Sequence, residues 1–168
     1  MSEARKDLLG ALEARFIPVL LAKGFKQFPL EGEENKSPEM KTAFPFGYMK
    51  RQKGGDLHLL EIQFDKHGAA KFVLNFGVVP RGGISLPWIH LEQDKASVSA
   101  LPDAYRLYQK RSRMKWFSAS FFASLFNRES RIGKVVDDVI ALYPEIETWF
   151  ASGSVGLHMR KFGYPSKT

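Results

Sequence analysis

The sequence predicts an α+β fold: an antiparallel sheet of about four to five strands packed on an N-terminal helix and a C-terminal helix. Three observations predict it. Residues 57–65 and 70–79 alternate apolar and polar side chains at period two across a short turn. Residues 3–23 and 128–143 repeat apolar side chains at helical spacing. Helix, strand block and helix, in that order, suit helices laid over one face of an antiparallel sheet.

The first helix places Leu8, Leu12, Phe16 and Leu20 on one face, with Ser2 as its N-cap and Gly24 as its C-terminal glycine. Pro18 lacks a backbone donor and should kink or divide it. A short strand is expected over 25–30, a polar loop over 31–39, and a strand over 44–51 that Pro45 confines to an edge or to its start. The hairpin follows. His58, Leu60, Ile62 and Phe64 share one face of its first strand, and Phe72, Leu74, Phe76 and Val78 one face of its second. Gly68 supplies the turn.

Residues 84–91 read as an edge strand or packed loop, because Pro87 interrupts them. Residues 104–116 and 118–126 are ambiguous between helix and strand. The second helix, capped by Asn127 or Ser130, stops at Pro144, which can begin a further turn through Ile146, Trp149 and Phe150. The chain of 168 residues reads as a single domain, with 152–168 as a loop-like tail or short strand.

Composition narrows the chemistry. With no cysteine, the chain has no disulfide, thiolate nucleophile or cysteine-ligated metal. The N-terminal residues carry charges at Glu3, Arg5, Lys6 and Asp7 rather than an apolar signal core, and no stretch is long and apolar enough to span a membrane. A cytoplasmic protein is expected. The net charge of +7 favours anionic partners without dictating a fold. No cofactor or metal is indicated. The four histidines are scattered, and His58, on an apolar face, reads as a satisfied core histidine. His90-Leu91-Glu92 lacks the further ligands of a zinc deaminase, and Gly133-Lys134 lacks the spacing of a phosphate loop. Ser152-Gly153-Ser154-Val155-Gly156 follows a helix, whereas a nucleophile elbow follows a strand.

Four short motifs run through the chain: Lys23-Gly24-Phe25-Lys26; Glu61-Ile62-Gln63 with Lys66 in the following turn; Phe72-Val73-Leu74-Asn75-Phe76-Gly77-Val78; and Arg106, Arg113 and Lys115-Trp116-Phe117 ahead of Leu142-Tyr143-Pro144 and Trp149. In this order they resemble a family of small bacterial domains of unknown function. The resemblance implies the order of elements and a bacterial source. It implies no activity, so no catalytic residue is carried over.

Two groups of residues are candidates for a site. Glu61, Gln63 and Asp65, with Asn75 on the neighbouring strand, occupy the polar face of the hairpin. An open, solvated face is the simpler reading, but a loop or helix laid over it would make a polar cleft. Arg106, Lys110, Arg111, Arg113 and Lys115, interleaved with Tyr105, Tyr108 and Trp116, could bind phosphates and stack bases. The plainer alternative is a solvated face with Trp116 and Phe117 in the core. Arg160 and Lys161 would extend this patch if the tail folded back. The residues favour a non-catalytic binding or interaction domain whose partner is not identified, with a protein or a second copy as the candidates. The alternatives are a nucleic-acid-binding module using 105–116 and an enzyme with an acidic cleft on the polar sheet face.

Overall fold

The computed structural model describes residues 1–118 and 128–162. The chain opens with two helices. In α1 (Glu3–Arg15), Ser2 Oγ accepts from the Arg5 amide at 3.3 Å, the predicted cap. Pro18 divides the segment as expected. It sits in the first turn of α2 (Ile17–Ala22), where a missing N–H leaves no intrahelical acceptor unpaired. After β1 (Lys26–Phe28), the expected polar loop instead forms two helical turns, α3 (Gly32–Lys36) and α4 (Pro38–Ala43). Ser37 Oγ accepts from the Met40 amide at 3.2 Å and Pro38 presets the first helical φ, a start signal embedded in a turn-like composition.

Next come β2 (Tyr48–Lys53), β3 (Asp56–Phe64) and β4 (Lys71–Val79), the last two being the predicted hairpin. β2 starts later than predicted because Pro45–Gly47 forms a turn. Gly47 has φ +66°, and a Cβ there would lie 2.1 Å from the Phe28 carbonyl oxygen. The segment 84–91 is a small separate hairpin, β5 (Ile84–Leu86) with β6 (Ile89–Leu91). Two 3-10 turns follow at Gln93–Lys95 and Val98–Ala100. Then come β7 (Tyr105–Leu107), β8 (Phe117–Ser118), α5 (Arg128–Ser152) and β9 (Met159–Lys161).

Among the described residues the sheet has seven strands, all antiparallel, in the order β1-β2-β3-β4-β7-β9, with β8 also on β4. That exceeds the four to five expected. β7, β8 and β9 hold two or three residues each, too few for a period of two to show. Two further expectations are corrected. Helix α5 does not stop at Pro144 but runs through it to Ser152. The lost hydrogen bond is offset by burial of Tyr143, Ile146 and Trp149 on either side. Ser130 lies inside α5 and is not its cap. Asn127, the apolar run 119–126 and the tail beyond 162 lie outside the described residues.

Both faces of the sheet are covered. On one, α1, α2 and α5 bury Leu12, Phe16, Val139 and Tyr143 against Leu60, Ile62, Phe64, Leu74 and Phe76. On the other, residues 84–104 lie across the strands and bury Ile84, Ala96, Val98, Leu101 and Ala104 against Leu57, Leu59 and Val79. Gly77 makes room for this cover: a Cβ on it would meet Leu101 Cδ1 at 2.4 Å. The polar face of the hairpin is therefore not open.

Candidate functional site: a buried carboxylate beneath the covering segment

Strand register places one row of side chains across six strands: Phe28, Tyr48, Glu61, Asn75, Arg106 and Arg160 stand opposite one another in turn. Opposed residues of an antiparallel sheet share a face, so the row lies on the side covered by 84–104. Glu61 and Asn75 are 5% and 1% exposed. Glu61 Oε1 accepts from the Val98 amide at 3.2 Å, and Oε2 from Asn75 Nδ2 at 3.4 Å. Asn75 Nδ2 also donates to Gln63 Oε1 at 2.8 Å. Arg106 closes the network: its Nε donates to Asn75 Oδ1 at 2.7 Å and its Nη2 to Gln63 Oε1 at 2.9 Å, while its guanidinium lies 4.2 Å from the Phe162 ring centre.

Glu61 forms part of the lining of a cavity of about 280 Å³. Phe28, Pro29 and Leu59 supply apolar wall, and Glu34, Tyr48, Lys50 and Ser97 supply polar groups. The Tyr48 hydroxyl donates to Glu34 Oε2 at 2.9 Å. Lys50 Nζ stands 5.4 Å from the Phe28 ring centre and donates to the Asp94 carbonyl at 3.2 Å. Burial pushes the Glu61 carboxyl up to about 7. The Glu34 carboxylate adds to the rise, while the Val98 amide, the Asn75 amide and Arg106 oppose it. Burial and the bond to Glu34 likewise raise the Tyr48 hydroxyl.

The structure brings Glu61, Gln63 and Asn75 together as the sequence suggested, and adds Tyr48, Glu34 and Arg106. Asp65 does not join them. It closes the hairpin turn, where Oδ1 accepts from the His67 and Ala69 amides at 3.0 and 3.3 Å and Oδ2 lies 3.2 Å from Lys71 Nζ. Burial pushes its carboxyl up, but these partners outweigh it and hold it below its ordinary value. Tyr48 was legible only as a strand residue. Its place beside Glu61 follows from register, which no local pattern shows.

The basic segment is divided. Arg106 belongs to the polar row, Tyr108 is buried, and Trp116 is half-buried with Lys71 Nζ 5.4 Å from its ring. Among the described residues of this segment no aromatic ring stands fully exposed beside the cations: Tyr108 is buried and Tyr105 and Trp116 are half-buried, while Phe117 is in the core. Lys110, Arg111, Arg113 and Lys115 remain exposed on the intervening turn, and the tail does fold back, pairing Arg160 with Arg106.

A second buried polar group lies on the helix face. Arg51 Nη1 donates to Glu147 Oε1 at 3.0 Å and to the Lys23 carbonyl at 2.9 Å, and Nη2 meets His58 Nδ1 at 3.0 Å. The Arg51 guanidinium lies 4.5 Å from the Phe25 ring centre, and His58 stacks on Phe150 at 4.2 Å. Burial, then the Arg51 charge, hold His58 down at about 4, so its ring is neutral and Nδ1 accepts. This cluster ties α2 and α5 to the sheet. Among the described residues no cluster of ligand-type side chains could hold a metal ion.

Compared with protein-family models, curated proteins and solved structures, the chain matches none, so the resemblance to small bacterial domains rests on the four short motifs alone.

Proposed function

We propose that this protein is a ligand-binding domain whose site is the cavity over Glu61, and that its ligand is a small organic cation bearing an ammonium or guanidinium group. The observation that carries this reading is a buried carboxylate facing a cavity with no ion-pair partner among the described residues. Buried charges are ordinarily paired. The nearby guanidinium of Arg106 bonds to Asn75 and Gln63 instead. Glu34 and the Tyr48 hydroxyl can share the cationic head, and Phe28 offers an aromatic face to it. The protein's own Lys50 ammonium already stands against Phe28, so the wall tolerates a cation. A volume of about 280 Å³ suits a ligand well below drug size.

The test is calorimetric titration of wild type and Glu61→Gln with butylamine, ethylguanidine and choline at pH 6, in two buffers of different ionisation heat. Wild type should bind at least one probe and release up to one proton, because pairing drives Glu61 to ionise. Glu61→Gln should bind roughly 10- to 100-fold more weakly and release none. If no probe binds wild type, or the variant binds as well, the reading fails. A second reading is favoured by the placing of Glu61 in the cavity wall, where burial pushes its carboxyl up to about 7, as suits a general acid or base. Mass spectrometry of material eluted from the protein separates the two: a bound molecule recovered unchanged marks binding, and one converted marks catalysis.

A further inference from the structure

At the opposite end of the cross-strand row from Phe28, the turn between β7 and β8 and the approach to β9 enclose an open cleft of about 600 Å³. It is lined by Lys110, Arg111, Ser112, Leu157, His158 and Arg160. We infer that this cleft binds the phosphate backbone of single-stranded nucleic acid, independently of the Glu61 cavity.

The cations are held together against local cost. Lys110 and Lys115 stand opposite one another across the turn, where like charges repel. Met114 closes the turn at φ +45°, a conformation unfavourable for a side chain with a Cβ. The Lys115 amide donates to the Lys110 carbonyl at 2.9 Å, and the Gln109 amide to the Lys115 carbonyl at 2.8 Å, so the turn is fixed rather than frayed. A strained, self-repelling turn that is nevertheless built is the pattern expected where a surface is used.

Among the described residues no carboxylate forms an ion pair with Lys110, Arg111, Arg113, Lys115 or Arg160, whereas Lys161 takes Asp103 and His158 takes Glu145 at 2.5 Å. Glu145, on α5, is wrapped by the segment that follows the helix: its Oε2 accepts from the His158 amide at 3.0 Å and would stand 2.1 Å from a Cβ on Gly156. Its carboxylate is thereby engaged by the His158 ring and amide rather than by a cation of the turn. Three of the five are arginines, whose planar forks match phosphate oxygens. The cleft is concave, which suits a strand laid along it better than a flat lipid surface. Exposed Leu157 and Met114 on its rims offer apolar contact to splayed bases. Among the described residues Tyr108 is buried and Trp116 half-buried beside Lys71, so neither ring offers an open face to a base, and binding is insensitive to sequence.

Fluorescence anisotropy tests this with labelled RNA and DNA single strands of about 15 nucleotides. A cleft variant, Lys110→Glu, Arg111→Glu, Arg160→Glu, is compared with a control, Lys23→Glu, Lys26→Glu, Lys41→Glu, whose cations are exposed elsewhere. Each reversal removes two charge units, so both triples fall from +7 to +1. Thermal melts establish that both are folded. Wild type should bind RNA and DNA of mixed sequence, weakening roughly 100-fold between 50 and 200 mM salt if five phosphates are neutralised. The cleft variant should lose at least roughly tenfold while the control stays within about twofold. Equal loss in both variants, no binding at 50 mM salt, or binding to phosphatidylserine vesicles but not to oligonucleotides would overturn the inference. Glu61→Gln should bind oligonucleotides like wild type, so failure here and failure at the Glu61 cavity remain distinguishable.

Discussion

Glu61 and Asn75 stand directly opposite one another on β3 and β4, and it is the Asn75 amide, not a cation, that faces the buried carboxylate. The electrostatic behaviour of the covered sheet face follows from this. A carboxylate with neutral donors and little water around it is costly to ionise.

Stability should therefore fall with rising pH through Glu61. Burial raises its carboxyl from an ordinary 4.5 to about 7, so between these values the folded state holds a proton that the unfolded chain has released. The contribution is fully present below 4.5, is lost as pH rises toward 7 and then levels off. Its span is about 3 kcal/mol by linkage. In urea unfolding from pH 4 to pH 8, Glu61→Gln should gain on wild type across this window. A difference that stays constant would show that Glu61 is solvated.

His58 acts in the opposite sense. Held down at about 4 from an ordinary 6.5, it stays neutral in the fold while the unfolded chain takes up a proton. Its contribution is fully present above 6.5 and is lost as pH falls toward 4. The two slopes offset one another between 4.5 and 6.5 in wild type. His58→Phe keeps the stack on Phe150 and removes one slope. The variant starts about 1–2 kcal/mol below wild type, with Arg51 Nη2 lacking its acceptor, and the gap should close as pH drops. A gap that widens in acid would refute the neutral buried imidazole.

Arg51 and Glu147 form the ion pair that joins β2 to α5. Glu147→Ala leaves a guanidinium, 8% exposed, without its counter-charge and should cost about 3 kcal/mol. Arg51→Met with Glu147→Leu removes both charges together and should recover most of that loss. A double-mutant cycle by urea unfolding, closed with the single variants Arg51→Met and Glu147→Leu, measures the coupling, and a coupling near zero would reduce the pair to a surface contact.

Gly77 connects the fold to the site. Gly77→Val drives a side chain into Leu101 and should destabilise by about 1–3 kcal/mol. Because Val98, three residues before Leu101, donates to Glu61, lifting the cover should also bring the Glu61 carboxyl back toward 4.5. Carboxyl titration by NMR reads this directly. A variant that loses stability while Glu61 still titrates near 7 would separate the cover from the site.

How far the sequence could be read is clearest in β3 and β4. Their period-two pattern placed Glu61, Gln63 and Asn75 on one face, because the pleat alone decides which way successive side chains point. The helical stripes of α1 and α5, the break at Pro18 and the cap at Ser2 were equally local. Pro144 misled, because a proline's effect on a helix depends on whether the flanking turns are buried, and Tyr143, Ile146 and Trp149 bury them.

The remaining features depend on contacts between residues far apart in the chain. Whether Glu61 is solvated depends on residues 84–104 lying over it, and those residues carry no periodic signal. The nearness of Tyr48 and Arg106 depends on strand register. The joining of Arg160 to the Lys110–Lys115 turn depends on β9 pairing with β7, three residues on three, and the burial of Tyr108, next after β7, shows in no local pattern. Propensity and periodicity act within a few residues and fixed the elements. Burial and register are set by packing across the whole chain, and they decided which carboxylate is buried and which cations are left to meet a partner.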